Sequence, residues 1–190
     1  MIEHIFTTPI YNGEIEEIDN ISIKETISYI ESVVPEEIKC KYTDDERNGW
    51  DCNMKTSAGY EGGFLNLTNN PAIVKLKESI LKEVINYTKL ANIVGNVEMM
   101  DSFYNIGLPG TFQEFHNHNP MHLSCVYYVD ADECSGDLVL TDSRFAERKR
   151  ISPKTSGIRI FPSHINHQVN INETKNTRIS IACNFIINLQ

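Results

Sequence analysis

The stretch "EFHNHNPMHLSCVYYVD", residues 114–130, sets His116 and His118 two residues apart just before a run that reads as a β-strand. Five of the six histidines in this 190-residue chain (His116, His118, His122, His164, His167) fall between positions 116 and 167. Side chains at i and i+2 of an extended segment point the same way. His116 and His118 can therefore converge on one ion if that segment is extended. Two ligands rarely hold a catalytic metal, and "FPSHINHQV" (161–169) offers His164 and His167 at the end of another strand. An H-x-H pair with one later histidine supplies three protein ligands and leaves positions open, as a catalytic site requires and a closed structural one does not. His122 reads as the approach to its strand, and His164 as a turn residue.

Working outward, "VEMMDSFYNI" (97–106), "HLSCVYYV" (122–129), "GDLVLTD" (136–142), "GIRIFP" (157–162) and "TRISIACNFIINL" (177–189) are short and rich in β-branched and aromatic residues. Turn-forming residues separate them, a spacing that predicts a sandwich or barrel. The N-terminal half reads differently. "HIFTTPIYNGEI" (4–15) is compatible with an edge strand, where Pro9 is tolerated. Ser22 and Glu25 match a capping box for a helix with Ile23, Ile27, Ile30 and Val34 on one face. Asn70 and Pro71 open a second helix whose stripe is Ile73, Leu76, Ile80, Val84, Tyr87 and Ala91. Residues 36–69 read as irregular, with Trp50 and Tyr60 as candidates for either a substrate groove or the core. The expectation is one domain, 1–190, with a helical and irregular part (1–96) and a barrel core (97–190).

In "TRISIACNFII", Arg178, Ser180, Ala182 and Asn184 share one face, while Ile179, Ile181, Cys183 and Phe185 share the other. If the aliphatic face packs on the helices, Arg178 points into the barrel, and a buried charge must be paired. Its partner is either a protein carboxylate such as Asp137 or Glu114, or a carboxylate carried by a ligand, which suits the two parallel donors of a guanidinium.

The formal net charge of −9 argues against a nucleic-acid surface. The single basic run, "RKR" at 148–150, reads as a solvated loop. No leader or membrane-length apolar run is evident. Five cysteines without a C-x-x-C pair do not form a disulfide framework, so a cytoplasmic location is expected.

Taken together, His116-x-His118, "LSCVYYV", "GDLVLTDSR", "GIRIFPSHINH" and "RISIACN" resemble the Fe(II)/2-oxoglutarate-dependent dioxygenases. The likeness is nearest to the phage- and bacterium-borne oxygenases related to the prolyl hydroxylases, which would put a phage-encoded chain in its host's cytoplasm. It spans residues ~97 to 187, with fainter likeness in "HIFTTPIYNGEI" and "GWDCNMKTS". The resemblance implies a double-stranded β-helix, or jelly roll, preceded by two packed helices. It implies metal ligation by His116 and His167, and 2-oxoglutarate binding by Arg178, which follows His167 by eleven residues. Ser180 matches the family's Arg-x-Ser arrangement. Tyr128 matches a tyrosine that holds the same carboxylate, with Tyr127 on the opposite face. One position departs: His118 stands where most members carry Asp or Glu, which implies a three-histidine site. That set is one charge unit more positive, and a 2-oxoglutarate dianion would bring it to neutrality. The implied activity is hydroxylation of a small molecule or a peptide or protein residue, with succinate and CO2 as coproducts. Two alternatives remain open: a three-histidine iron dioxygenase that does not use 2-oxoglutarate, and a non-catalytic metal-binding barrel.

Overall fold

The computed structural model describes residues 8–34, 54–142 and 147–188. Trp50 and most of the 36–69 segment lie outside them. A six-stranded antiparallel sheet has the order β1 (Tyr11–Glu14), β8 (Gly157–Pro162), β5 (Leu123–Asp130), β10 (Arg178–Asn188), β3 (Asn96–Gly107), β2 (Lys55–Thr56). A four-stranded sheet has the order β4 (Gln113–His116), β9 (Asn166–Val169), β6 (Leu138–Asp142), β7 (Glu147–Ile151). The helices α1 (Asn20–Val33) and α2 (Pro71–Leu90) cover the outer face of the larger sheet. This is the barrel with two helices that the residues predict, in the jelly-roll form that the resemblance implies. The N-terminal half also lends the larger sheet β1, its edge strand, and β2.

Two cores hold the layers. Ile23, Ile27 and Ile30 of α1 and Ile73, Leu76, Ile80, Val84 and Tyr87 of α2 pack against Ile179, Ile181, Cys183 and Phe185 of β10. Full burial of each such aliphatic side chain contributes about 1.5–3 kcal/mol. Between the sheets lies a smaller cluster of Leu138, Leu140, Ile151, Phe161 and Ile165.

At α2 the cap is the one the sequence predicts: Asn70 Oδ1 accepts from Ala72 N at 2.8 Å, with Pro71 following. At α1 it is not. Asp19 is the N-cap and accepts from Ser22 N at 3.0 Å, so the cap lies three residues before Ser22. The Ser22 hydroxyl instead accepts from Asn70 Nδ2 at 3.2 Å, while the same nitrogen donates to Thr26 Oγ1 at 2.9 Å, tying the two helix starts together. One further expectation is corrected, and one open alternative is decided. The "RKR" run is not a loop but the middle of β7, an edge strand whose Glu147–Arg150 side chains are all exposed. Charged residues are the usual protection of an edge. Tyr60 packs edge-on to Tyr104, ring centroids 6.3 Å apart, against the helix-side core.

Candidate active site

The register of the larger sheet sorts its inner face into rows. Gly107 pairs with Arg178; Asn105 with Ser180 and Ser180 with Tyr128; Phe103 with Ala182 and Ala182 with Val126; Asp101 with Asn184 and Asn184 with Ser124. Successive rows are about 7 Å apart, two residues of strand rise. The smaller sheet faces them with His116 paired to His167, and His167 to Leu140. One cavity between the sheets is lined by all six residues singled out in the sequence: His116, His118, His167, Tyr128, Arg178 and Ser180.

At one level of this cavity the three histidines meet. Their ring centroids are 4.2 Å (His116–His167), 5.0 Å (His118–His167) and 5.1 Å (His116–His118) apart. Their nearest ligand atoms lie within 4.8 Å of one another, so one ion is within reach of all three. His116 ends β4, and His118 lies just beyond it, where its backbone N–H donates to Ser163 O at 3.0 Å. Phe161 packs 5.0 Å from the His167 ring and Phe103 6.4 Å from that of His118.

Tautomers follow from the partners. His116 Nδ1 lies 2.7 Å from Glu114 O, and His167 Nδ1 lies 3.0 Å from Ile165 O. A carbonyl only accepts, so both Nδ1 atoms carry the proton and both Nε2 atoms keep a lone pair. His116 Nε2 is buried with no hydrogen-bond partner. Burial lowers the pKa of all three rings, that of His118 to about 4 and that of His167 to about 3, with mutual repulsion adding to the effect at both. They are neutral near pH 7, the form in which imidazole binds metal. A tautomer fixed by an outer carbonyl and an orphaned buried lone pair are what a resident divalent cation needs.

Arg178 occupies the other end, 3% exposed. Its Nη1 donates to Ser135 O. Gly107 and Gly136 make room for it: a Cβ on Gly136 would stand 2.5 Å from Nη1, and one on Gly107 3.1 Å from Nη2. Gly136 also has φ +108°, which side-chain-bearing residues rarely adopt. Among the described residues Arg178 forms no ion pair. Asp137 instead accepts from Ser152 Oγ at 2.9 Å, and Glu114 is exposed. Neither of the two carboxylates that the sequence offers as its partner pairs with this guanidinium. Burial lowers the Arg178 pKa while the neighbouring Tyr128 opposes that shift, and burial raises the Tyr128 phenol in turn.

In and behind the cavity lie residues that carry no site role in the sequence alone. Asn105, Gln113 and Asn184 line it with carboxamides. Arg159 lies behind Tyr128, its guanidinium carbon 5.8 Å from the ring centroid, donating to Gly13 O and Ile158 O, each at 3.0 Å, and to Ser152 O at 3.3 Å. Its signal was present in "GIRIFP", where alternation sets Arg159 and Phe161 opposite the helix-facing Ile158 and Ile160. His122 and His164 stay outside the cluster, before β5 and in the turn after β8, as expected.

Residues 100–186 match the family model of the 2OG-Fe(II) oxygenase superfamily. Among solved structures, a Pseudomonas putida prolyl-4-hydroxylase aligns over 96% of this chain and 94% of its own, at 12% identity and a TM-score of 0.63. A Trichoplax adhaerens prolyl hydroxylase, solved with a peptide fragment of the hypoxia inducible factor oxygen degradation domain, covers 95% and 83% at 15% identity and a TM-score of 0.67. The viral collagen prolyl hydroxylase of Paramecium bursaria Chlorella virus-1, solved with 2-oxoglutarate, covers 92% and 95% at 12% identity and a TM-score of 0.56. At such identities the likeness establishes the shared fold. No curated protein matches the chain.

Proposed function

We propose that this chain, whose residues 100–186 match the family model of the 2OG-Fe(II) oxygenase superfamily, is a dioxygenase of that kind with Fe(II) and 2-oxoglutarate as its cofactors, and that it hydroxylates a C–H bond of a small-molecule or peptide substrate, with succinate and CO2 as coproducts. His116, His118 and His167 would hold the iron. Arg178, Ser180 and Tyr128 would hold the far carboxylate of 2-oxoglutarate. The observation that carries this reading is the pairing, in one cavity, of three neutral imidazoles within 4.8 Å and a buried guanidinium that meets no protein carboxylate among the described residues.

When bound, Fe(II) with 2-oxoglutarate and O2 supplies an oxidant strong enough to break a C–H bond; the chain's own residues bind, orient and exclude water. The Nδ1–H bonds to Glu114 O and Ile165 O keep the His116 and His167 rings turned with Nε2 free. Because these rings are already neutral, binding metal displaces no proton from them near pH 7. Three neutral ligands leave the cation's charge intact, and a dianionic cosubstrate balances it. Arg178 fixes the cosubstrate's orientation by offering a fork of donors, and the Ser180 hydroxyl adds one in the adjacent row. Phe103, Val126, Leu138, Phe161 and Val169 supply the apolar wall.

We take the chain to work as one domain, since β1 and β2 complete the barrel's larger sheet. Cys125, Cys134 and Cys183 are free, which supports a reducing compartment, proposed to be the cytoplasm. Among the described residues no helix is long and apolar enough to cross a membrane.

Incubation of Fe(II)-loaded protein with 2-oxoglutarate under air should release succinate, and Arg178→Ala should abolish 2-oxoglutarate binding. No succinate with any metal or candidate substrate would overturn the reading. Unimpaired 2-oxoglutarate binding by Arg178→Ala would favour a three-histidine dioxygenase whose substrate, not cosubstrate, meets Arg178.

A further inference from the structure

Two of the three clustered histidines are turned by a backbone carbonyl, and the third is not. Among the described residues His116 Nδ1 meets Glu114 O and His167 Nδ1 meets Ile165 O, while no such bond holds the His118 ring. His118 also lies in the loop after β4 and not on the strand itself. Its backbone is what fixes it. His118 N–H donates to Ser163 O at 3.0 Å, and Ser163 N–H donates to His122 O at 3.0 Å, so two backbone bonds join the 118–122 loop to Ser163.

Ser163 is in turn held by its side chain. It follows β8, and its Oγ lies 2.7 Å from Ser124 Oγ of β5. Ser124 gives its one hydroxyl proton to Asn184 Oδ1 of β10 at 2.8 Å, so the proton between the two serines comes from Ser163. The donors therefore run from Ser163 to Ser124 to Asn184. Ser163, Ser124 and Asn184 are 0%, 2% and 6% exposed, which makes this a buried chain. Its bonds are directional, as apolar side chains of the same volume would not be, and satisfied buried networks of this kind specify one arrangement. The end of β8 thus reaches two of the histidines: Phe161 packs 5.0 Å from the His167 ring, and Ser163 O holds His118.

An imidazole presents one lone pair along a fixed direction of a rigid ring, whereas a carboxylate offers two oxygens with several lone-pair sites. A site with histidine at position 118 therefore tolerates less displacement there. Resting on the three-histidine reading of the metal site, we propose that Ser163, Ser124 and Asn184 are positioning residues for His118. Through Ser163 O they set the loop that aims its ring at the metal.

The test is a double-mutant cycle read by Zn(II) competition with a chromophoric chelator. Ser163→Ala removes the hydroxyl and keeps the carbonyl. It should weaken Zn(II) binding about tenfold in the otherwise native protein, as loss of an outer-shell partner does, and less than about twofold in His118→Ala. In Co(II)-loaded protein, the paramagnetically shifted ring C–H resonances that His118→Ala abolishes should move in Ser163→Ala, while those of His116 and His167 stay. Ser124→Ala leaves Ser163 intact and should act in the same direction, with the same dependence on His118; it decides the matter if Ser163→Ala does not fold. A merely structural loss would lower Tm without this coupling. Equal Zn(II) loss with and without His118, or native affinity in both serine variants, would overturn the positioning role and leave the three-histidine site standing. Native affinity in His118→Ala would remove that ring from the metal and so overturn the reading on which the inference rests.

Discussion

The two ends of the cavity manage burial in opposite ways. At the Arg178 end a full charge is buried, and the backbone is shaped around it: Ser135 O accepts from it, and two glycines leave the volume a side chain would fill. At the histidine end no charge is buried, because desolvation and mutual repulsion keep the rings neutral. On the proposed function, the Arg178 end receives an anion and the histidine end a cation.

The largest expected effect breaks the histidine end. Structural metal sites hold their ion by about 10–16 kcal/mol over four ligands, so losing one ligand costs roughly 100- to 1000-fold in affinity. His167→Ala should weaken Fe(II) or Zn(II) by that factor in a chelator competition. His118→Asp should stay within about tenfold of the native protein, since a carboxylate oxygen is itself a good ligand for Fe(II). If both variants bind as the native chain does, the cluster is not a metal site.

Arg178→Ala breaks the other end. A bidentate pair of charge-assisted hydrogen bonds is worth about 3 kcal/mol or more, so 2-oxoglutarate affinity should fall at least about 100-fold with metal affinity unchanged. Calorimetry on the Zn(II) form separates the two, and a coupled loss of both would show that the ends are not independent.

What was legible follows the length and regularity of the strands. β10 runs from Arg178 to Asn188, and its alternation divides the cavity side from the helix side without ambiguity. The α2 start was legible because Asn70 and Pro71 are each specific to their position. The α1 start was not, because Asp19 and Ser22 are both capping residue types and only packing against Asn70 decides between them. β4 and β9, which carry His116 and His167, have four residues each and no β-branched run, so tertiary pairing makes them strands. The charges of β7 read as loop for the same reason that they suit an edge. Arg159 is not legible as a site residue although its alternation is visible, because its partners are the backbone carbonyls of Gly13, Ser152 and Ile158, which only the fold brings to it.

Acid sharpens the contrast further. A histidine whose folded pKa is lowered stays neutral in the native state while the unfolded chain takes up a proton near pH 6.5. Its contribution is therefore present above pH 6.5 and lost as pH falls toward the folded value, about 4 for His118 and about 3 for His167. At pH 5, His167 alone should cost the metal-free protein roughly 1–2 kcal/mol. The metal-free protein should lose Tm between pH 6.5 and 4, and His167→Gln should flatten that slope. An unchanged slope would mean that the ring is not desolvated as described.

The smallest expected effect lies outside the cavity and bounds the comparison. Asn70→Ala removes the cap on Ala72 N and the ties to Ser22 and Thr26, and should cost about 1 kcal/mol. For a chain of this size that is a Tm decrease of roughly 2–4 °C. The helices touch only the outer face of β10, and the cavity residues occupy the inner one. Affinity for 2-oxoglutarate should therefore stay within about twofold. A loss approaching that of Arg178→Ala would mean that the helix layer sets the position of the strand carrying Arg178. The site's preorganisation would then be a property of the packed layers and not of the barrel alone.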